Sequence, residues 1–338
     1  MVRASSPPRA ASPLARPPGP ADADWRILTD LVGELLQTGG PELALEVAQT
    51  ALAEAPEDGN LHFLYGQTLA AAGRRPEALA ELAQALWLGT ESEVLDLVAK
   101  IAFPGPPYRD NLAWLHRLLR PATYLEIGVF KGETLRLARP GTQAIGVDPA
   151  PLPESDRAYD APTTLHLLTS DAYFAAVTAG GIASPAPVGL SFIDGLHIFE
   201  QVLRDFINVE RQAAADTLVV LHDTLPVAPA AAARDRCTSF WCGDTWKVVP
   251  CLRRFRPDLQ LLTIPTHPSG LTLVAGLDPH SGVLADRFDE AVAAFIDAPL
   301  PPPLPEAGIR GDIANNQALI RAWLAATPVG ARMVAEAP

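Results

Sequence analysis

Cysteine is scarce in this chain of 338 residues: only Cys237, Cys242 and Cys251 occur, all in one short stretch. Three thiols placed so cannot build a disulfide framework and suit a reducing compartment, so a cytoplasmic protein is expected. Long apolar runs are missing too. None reaches the ~18 residues that a membrane span requires, and the N-terminus has no compact apolar stretch of the secretory kind. Basic residues are outnumbered, 26 Lys and Arg against 39 Asp and Glu, which leaves a net charge of -13 and a pI near 4.9. A surface of that sign repels phosphates, so neither a nucleic acid nor a membrane is an expected partner. With 48% hydrophobic residues the bulk of the chain can bury a core. At roughly 150 residues per domain its length suits two domains.

Proline is the residue in excess, 34 in all. Many prolines fall in residues 1–22, among small residues and scattered arginines, where apolar surface is too poor to offset chain entropy. A disordered leader is expected there. Its basic start, acid-free as far as Ala21, also suits an organellar transit peptide, but the prolines would break the amphipathic helix such peptides form.

From 23 to 103 the apolar residues recur at helical spacing between the breakers Gly39-Gly40-Pro41, Pro56 to Gly59 and Gly73-Arg74-Arg75. Laid on itself at a 34-residue offset, the segment aligns Leu31 with Tyr65, Leu35 with Leu69, Gly39 with Gly73, Ala44 with Ala78 and Ala48 with Leu82. That is the period of a tetratricopeptide repeat, whose small alanines let paired helices approach. Two units need a cap, which helices around 91 to 103 or the following domain would supply. Such repeats either dock a protein partner or brace their neighbour.

After Pro104 the pattern becomes α/β. Short apolar strands are predicted at Tyr124 to Ile127, Gln143 to Val147, Thr164 to Leu168, Gly189 to Ile193 and Thr217 to Leu221, with helices between them. Two closing strands, Gln260 to Ile264 and Gly270 to Ala275, suit an antiparallel hairpin at the edge. The expected fold is therefore a Rossmann-like, seven-stranded, mostly parallel sheet over 104–280, preceded by the all-α repeat domain. Helices at Val283 to Ile296 and Ile313 to Ala325, flanking the proline run Pro299 to Pro305, form a C-terminal extension over 281–338 that carries no visible chemistry.

In an open parallel sheet ligands lie beyond the carboxyl ends of the strands. The first strand runs into Glu126-Ile127-Gly128-Val129-Phe130-Lys131-Gly132, read as a glycine turn opening a helix whose free N–H groups face an anionic or polar ligand. The spacing differs from the GxGxxG of dinucleotide binders, which disfavours a nicotinamide oxidoreductase. Asp148 ends the second strand, where a carboxylate accepts from two ribose hydroxyls, and Asp171 follows the third, placed for an adenine amino group. Asp194 ends the fourth strand, with His197 beyond it, and His222-Asp223 end the fifth.

These pieces resemble the class I S-adenosylmethionine-dependent methyltransferases. Over Tyr124 to Leu277 the likeness is to the branch of small-molecule and sugar O-methyltransferases, carried by the glycine turn, Gly146-Val147-Asp148, Phe192 to His197 and Val220 to Asp223. The resemblance implies S-adenosylmethionine as cofactor, with Glu126, Gly128 and Gly132 on its methionine part, Asp148 on the ribose and Asp171 on the adenine. It implies a small-molecule acceptor whose hydroxyl loses a proton in the transfer. Two routes fit. Asp194, His222 and Asp223 hold a divalent metal ion (Mg, Mn or Zn) that acidifies the hydroxyl; related metal-dependent enzymes use carboxylates or amides here, so His222 is a departure that favours a softer ion. Alternatively His197 or His222 acts as general base. The competing readings are a structural role for this cluster and, for the whole protein, an interaction protein whose non-catalytic Rossmann-like domain serves as a scaffold. Trp241 and Phe240 are candidates for an acceptor wall, and Asp244 reads as the cap of the helix after it. The three cysteines lack the CxxC knuckle of a zinc site and read as buried thiols.

Overall fold

A computed structural model describes residues 22–89, 92–156, 158–185, 187–299 and 311–333. All of the 1–22 leader but Asp22, and nearly all of the proline run, lie outside these residues. The first part is helical: α1 (Asp22–Gln37), α2 (Pro41–Glu54), α3 (Gly59–Ala71), α4 (Arg75–Trp87) and α5 (Ser92–Ala102). Gly39 and Gly73, equivalent in the 34-residue register, both adopt positive φ where their helices end, with open space beside them. A proline in the first turn then starts each partner helix. Ala44, Ala48 and Ala78 are buried between the pairs. At Gly66 a methyl group would meet Leu82 at 2.9 Å, so close approach of α3 to α4 requires glycine. The expected cap is α5, joined by apolar residues from beyond the fifth strand of the next domain.

That domain begins with α6 (Tyr108–Leu119) and continues through β1 (Thr123–Ile127), β2 (Gln143–Val147), β3 (Thr163–His166), α7 (Ser170–Thr178), β4 (Val188–Ile193), α8 (Phe199–Glu210), β5 (Ala213–His222), α9 (Val248–Phe255), β6 (Gln260–Ile264) and β7 (Leu271–Ala275). The sheet order is β3-β2-β1-β4-β5-β7-β6. The first five strands are parallel, and β7 pairs antiparallel with both β5 and β6. Strand order reverses between β1 and β4, which leaves a crevice at their carboxyl ends. Side chains alternate strictly. Leu125, Ile127, Ile193 and Leu221 join the apolar layer under α7, α8 and α9, whereas Tyr124, Phe192 and Val220 join the layer under α6.

Two expectations are corrected. No α-helix follows Gly132: the stretch between β1 and β2 holds only a 3₁₀ turn at Leu135–Leu137, the chain turning back at Pro140-Gly141 to reach β2. The C-terminal region is no appendage either. Beyond β7 come α10 (Val283–Asp286), α11 (Phe288–Phe295) and α12 (Gln317–Ala325). Leu284 and Ala291 belong to the α8 layer, and Ile320, Leu324 and Val329 to the α6 layer, so the extension closes both faces of the sheet.

Candidate active site

Parity along β1 fixes the first half of the rim. Glu126 points to the same face as Tyr124 and is fully buried, its oxygens accepting from the Tyr124 hydroxyl (2.5 Å) and the Thr134 hydroxyl (2.9 Å). Burial pushes its carboxyl up to about 8. The expected contact with a cofactor is therefore replaced by a buttress inside the turn. Gly128 has a φ of 87°, and a methyl group on it would overlap the Asp194 carbonyl. The glycine is demanded by the neighbouring strand end. Gly132, φ 70°, is packed under the Tyr159 hydroxyl rather than at a helix start. Two of the N–H groups expected to face a ligand, those of Val129 and Phe130, both donate to Asp148 Oδ2 at 2.9 Å, and that of Ala150 donates to Oδ1 at 2.8 Å. Asp148 thus closes the turn, and stays half-buried at the crevice. Asp171, in the first turn of α7, accepts from Gln201 Nε2 at 3.1 Å and faces Arg204 at 3.7 Å.

The second half is a knot of charge. Asp194 Oδ1 lies 3.0 Å from His222 Nδ1 and 3.3 Å from His197 Nε2. Asp223 Oδ2 lies 3.2 Å from His197 Nδ1, and its Oδ1 is 3.5 Å from His222 Nδ1. All four predicted residues come together here. Burial opposes the charge on each of them, yet the mutual attraction prevails. His222 and His197 hold the Asp194 and Asp223 carboxyls below the ordinary carboxylate range, while the carboxylates push His197 up to about 9 and His222 to about 10. Asp223 sits at a φ of 59°, a left-handed conformation that aspartate tolerates better than most residues.

Four further residues shape the knot. Ser269, from the β6–β7 link, donates to Asp223 Oδ1 and stands 3.5 Å from His222 Nε2. The Tyr108 ring lies against the His222 imidazole, 4.3 Å between centroids. Trp241 is stacked on His197 at 5.3 Å, and its carbonyl lies 3.2 Å from His197 Nδ1. Gly243, φ 58°, passes so close that a methyl group would overlap the His197 carbonyl. The Trp241 candidate for an acceptor wall is thus a clamp on His197. Asp244 caps the helix before it in sequence: its Oδ1 accepts from Phe199 N at 2.6 Å and so closes α8, leaving the 3₁₀ turn at Thr245–Lys247 without a side-chain cap. Tyr108 and Ser269 had no signal in the sequence, since each reaches the knot only through the pairing of distant elements.

The donor set fits a divalent ion with mixed oxygen and nitrogen ligands. Among the described residues, Asp194, His197 and Asp223 each offer one ligand atom, all within 4.8 Å of one another. That trio shares both carboxylates with the expected Asp194, His222 and Asp223, and His222 also packs against Ser269 and Tyr108. The three thiols are free, with Cys237 exposed and Cys242 and Cys251 buried.

With this geometry in place, residues 125–224 match the family model described as a methyltransferase domain. The chain carries a methyltransferase domain. Residues 35–101 match the tetratricopeptide repeat, so the helical part ahead of that domain is a repeat array. Similar solved structures include an O-methyltransferase from Bacillus cereus in complex with SAH, 12% identical over 54% of this chain and 90% of that one, with a TM-score of 0.38. The O-methyltransferase TomG from Streptomyces achromogenes, in complex with SAM, is 17% identical over 56% and 91%, with a TM-score of 0.36. MycE, a methyltransferase of the mycinamycin pathway in complex with Mg and SAH, is 16% identical over 63% and 61%, at 0.35. No curated protein matches the chain. No helix among the described residues is long and apolar enough to cross a membrane.

Proposed function

We propose that the methyltransferase domain takes S-adenosylmethionine at the β1/β4 crevice and methylates a hydroxyl of a small molecule. The observation that carries this reading is adjacency. Gly128 touches the Asp194 backbone and the Asp194 N–H donates to the Ile127 carbonyl at 2.8 Å, so the turn closed by Asp148 and the four-residue knot share one wall. Asp148 would hold the ribose hydroxyls with its remaining lone pairs. Phe130, Leu167 and Leu196, large apolar side chains exposed at the ends of β1, β3 and β4, would give a planar base its platform. When bound, the cofactor supplies a methyl group that leaves sulfur as the bond to the acceptor oxygen forms.

The knot would then bind the acceptor hydroxyl and steady the oxygen, whose proton leaves to solvent water as the bond to the methyl carbon forms. The carboxylates favour the protonated form of both imidazoles, so neither is a free base in that state, and an ion binding at His197 would displace its proton to solvent. A divalent ion on Asp194, His197 and Asp223 would lower the acidity barrier of the hydroxyl instead, with His222, Ser269 and Tyr108 orienting the two carboxylates. The metal route is the reading favoured here. Its test is methyl transfer from labelled S-adenosylmethionine to a panel of hydroxylated acceptors, with EDTA and then Mg²⁺, Mn²⁺ or Zn²⁺ added. Transfer abolished by EDTA and restored by one ion supports it, and full transfer in EDTA sinks the metal part. The free thiols and acidic surface suit a cytoplasmic enzyme without a nucleic-acid partner.

A further inference from the structure

The segment after Asp223 leaves the sheet and enters the repeats. Leu225, Val227 and Ala228 are buried in one apolar cluster with Val94, Leu95 and Val98 of α5, and Phe240 packs against the same cluster. The second arm beside the knot is pinned to that helix as well: His267, two residues before Ser269, places Nε2 2.8 Å from Asp96 Oδ1 on α5. The two arms are tied to each other, since Leu225 N donates to the Ser269 carbonyl at 2.7 Å. Cys242 and Trp241 close the returning end of the segment, Cys242 N donating to the Ala231 carbonyl at 2.9 Å.

We propose that the repeats hold the chain's own segment 225–242 as an intramolecular ligand, so that α5 braces both arms of the pocket. An apolar seat on a repeat array ordinarily takes a peptide from another protein; here the occupant is in the same chain, two residues from Asp223. The bearing of this hold on catalysis rests on the methyltransferase reading, whereas the hold itself does not.

The three cysteines provide the probe. Cys237 is exposed, Cys242 is 1% exposed within the held segment, and Cys251 is fully buried in α9, in the core of the sheet domain. Maleimide labelling of the full-length protein, read peptide by peptide by mass spectrometry, follows each thiol separately. Truncating Val227→Ala or Val98→Ala removes packing from the seat and is expected to speed labelling of Cys242 by about tenfold while Cys251 keeps its wild-type rate. Val227→Ile, which keeps the contact, is expected to retain wild-type protection. Asp96→Asn, at a half-exposed pin whose loss leaves the core intact, is expected to speed Cys242 several-fold. Cys242 rates unchanged in all the loosening variants, or Cys242 and Cys251 accelerating together, would overturn the proposal. If Cys242 alone is released but the wild type transfers no methyl group, the brace stands and the functional reading fails.

Discussion

The two halves of the rim solve opposite problems with acidic residues. On the β1–β2 side, Asp148 is satisfied by the backbone N–H groups of Val129, Phe130 and Ala150, and buried Glu126 by two hydroxyls. On the β4–β5 side, Asp194 and Asp223 face two imidazoles and each other, with the Ser269 hydroxyl donating to Asp223. The first arrangement fixes a shape. The second concentrates charge that a bound ion or a reacting oxygen can redistribute, because paired buried charges respond strongly to any new charge in a low-dielectric site. In the proposed function the difference separates a cradle from a reacting centre on one continuous edge.

The largest effect should follow from breaking the charged half. Asp194→Asn keeps the shape but removes one of the two anions, and is expected to lower methyl transfer by roughly a thousandfold while cofactor affinity changes less than about twofold. Single-turnover transfer and a binding titration check the two numbers together, and equal losses in both would erase the distinction between the halves. Next comes the wall they share. Gly128→Ala would drive a methyl group into the Asp194 carbonyl at a positive φ, and is expected to cost about 3 kcal/mol in denaturant unfolding. Gly141→Ala, also at positive φ but in open space, should cost only about 1 kcal/mol. Similar losses for both would mean that the halves are not in contact.

A moderate effect is expected from pH. His197 and His222 are raised to about 9 and 10 from 6.5, so their contribution to stability is whole below pH 6.5 and is lost as pH climbs towards 10. Asp194 and Asp223 are depressed, so theirs is present above the ordinary value of 3.8 and is lost as pH falls below it. The metal-free protein should therefore melt at progressively lower temperature from pH 6.5 to 10, and His222→Gln should flatten that limb. An identical limb in both proteins would remove the charged pairing from the account. The smallest effect belongs to Asp171, whose carboxylate is engaged by Gln201 and Arg204; Asp171→Asn should shift cofactor affinity by less than about twofold in a calorimetric titration.

Much of this was legible in the sequence because apolar alternation and strand-end acids are local signals. The strands were readable from runs such as Gln143 to Val147, and the knot from acids and histidines that simply follow β4 and β5. The repeats announced themselves through equivalent glycines at 39 and 73. What the sequence hid was set by packing. The glycine turn resembles a helix start, but the chain between β1 and β2 turns back at Pro140-Gly141 and the N–H groups go to Asp148. Glu126 looked ligand-facing until strand parity turned it inward. Tyr108, Ser269 and the seat for Leu225 depend on contacts across more than a hundred residues or between unrelated elements, which no short-range pattern encodes.

Calorimetric titration of S-adenosylmethionine into the wild-type protein and into Asp148→Ala decides whether the β1/β4 crevice takes the cofactor. The wild type should saturate one site in the micromolar range, and the variant, deprived of the carboxylate that closes the turn and is proposed to meet the ribose, should bind at least tenfold more weakly. A wild-type protein that takes up no cofactor, or a variant that binds as tightly, would contradict that placement.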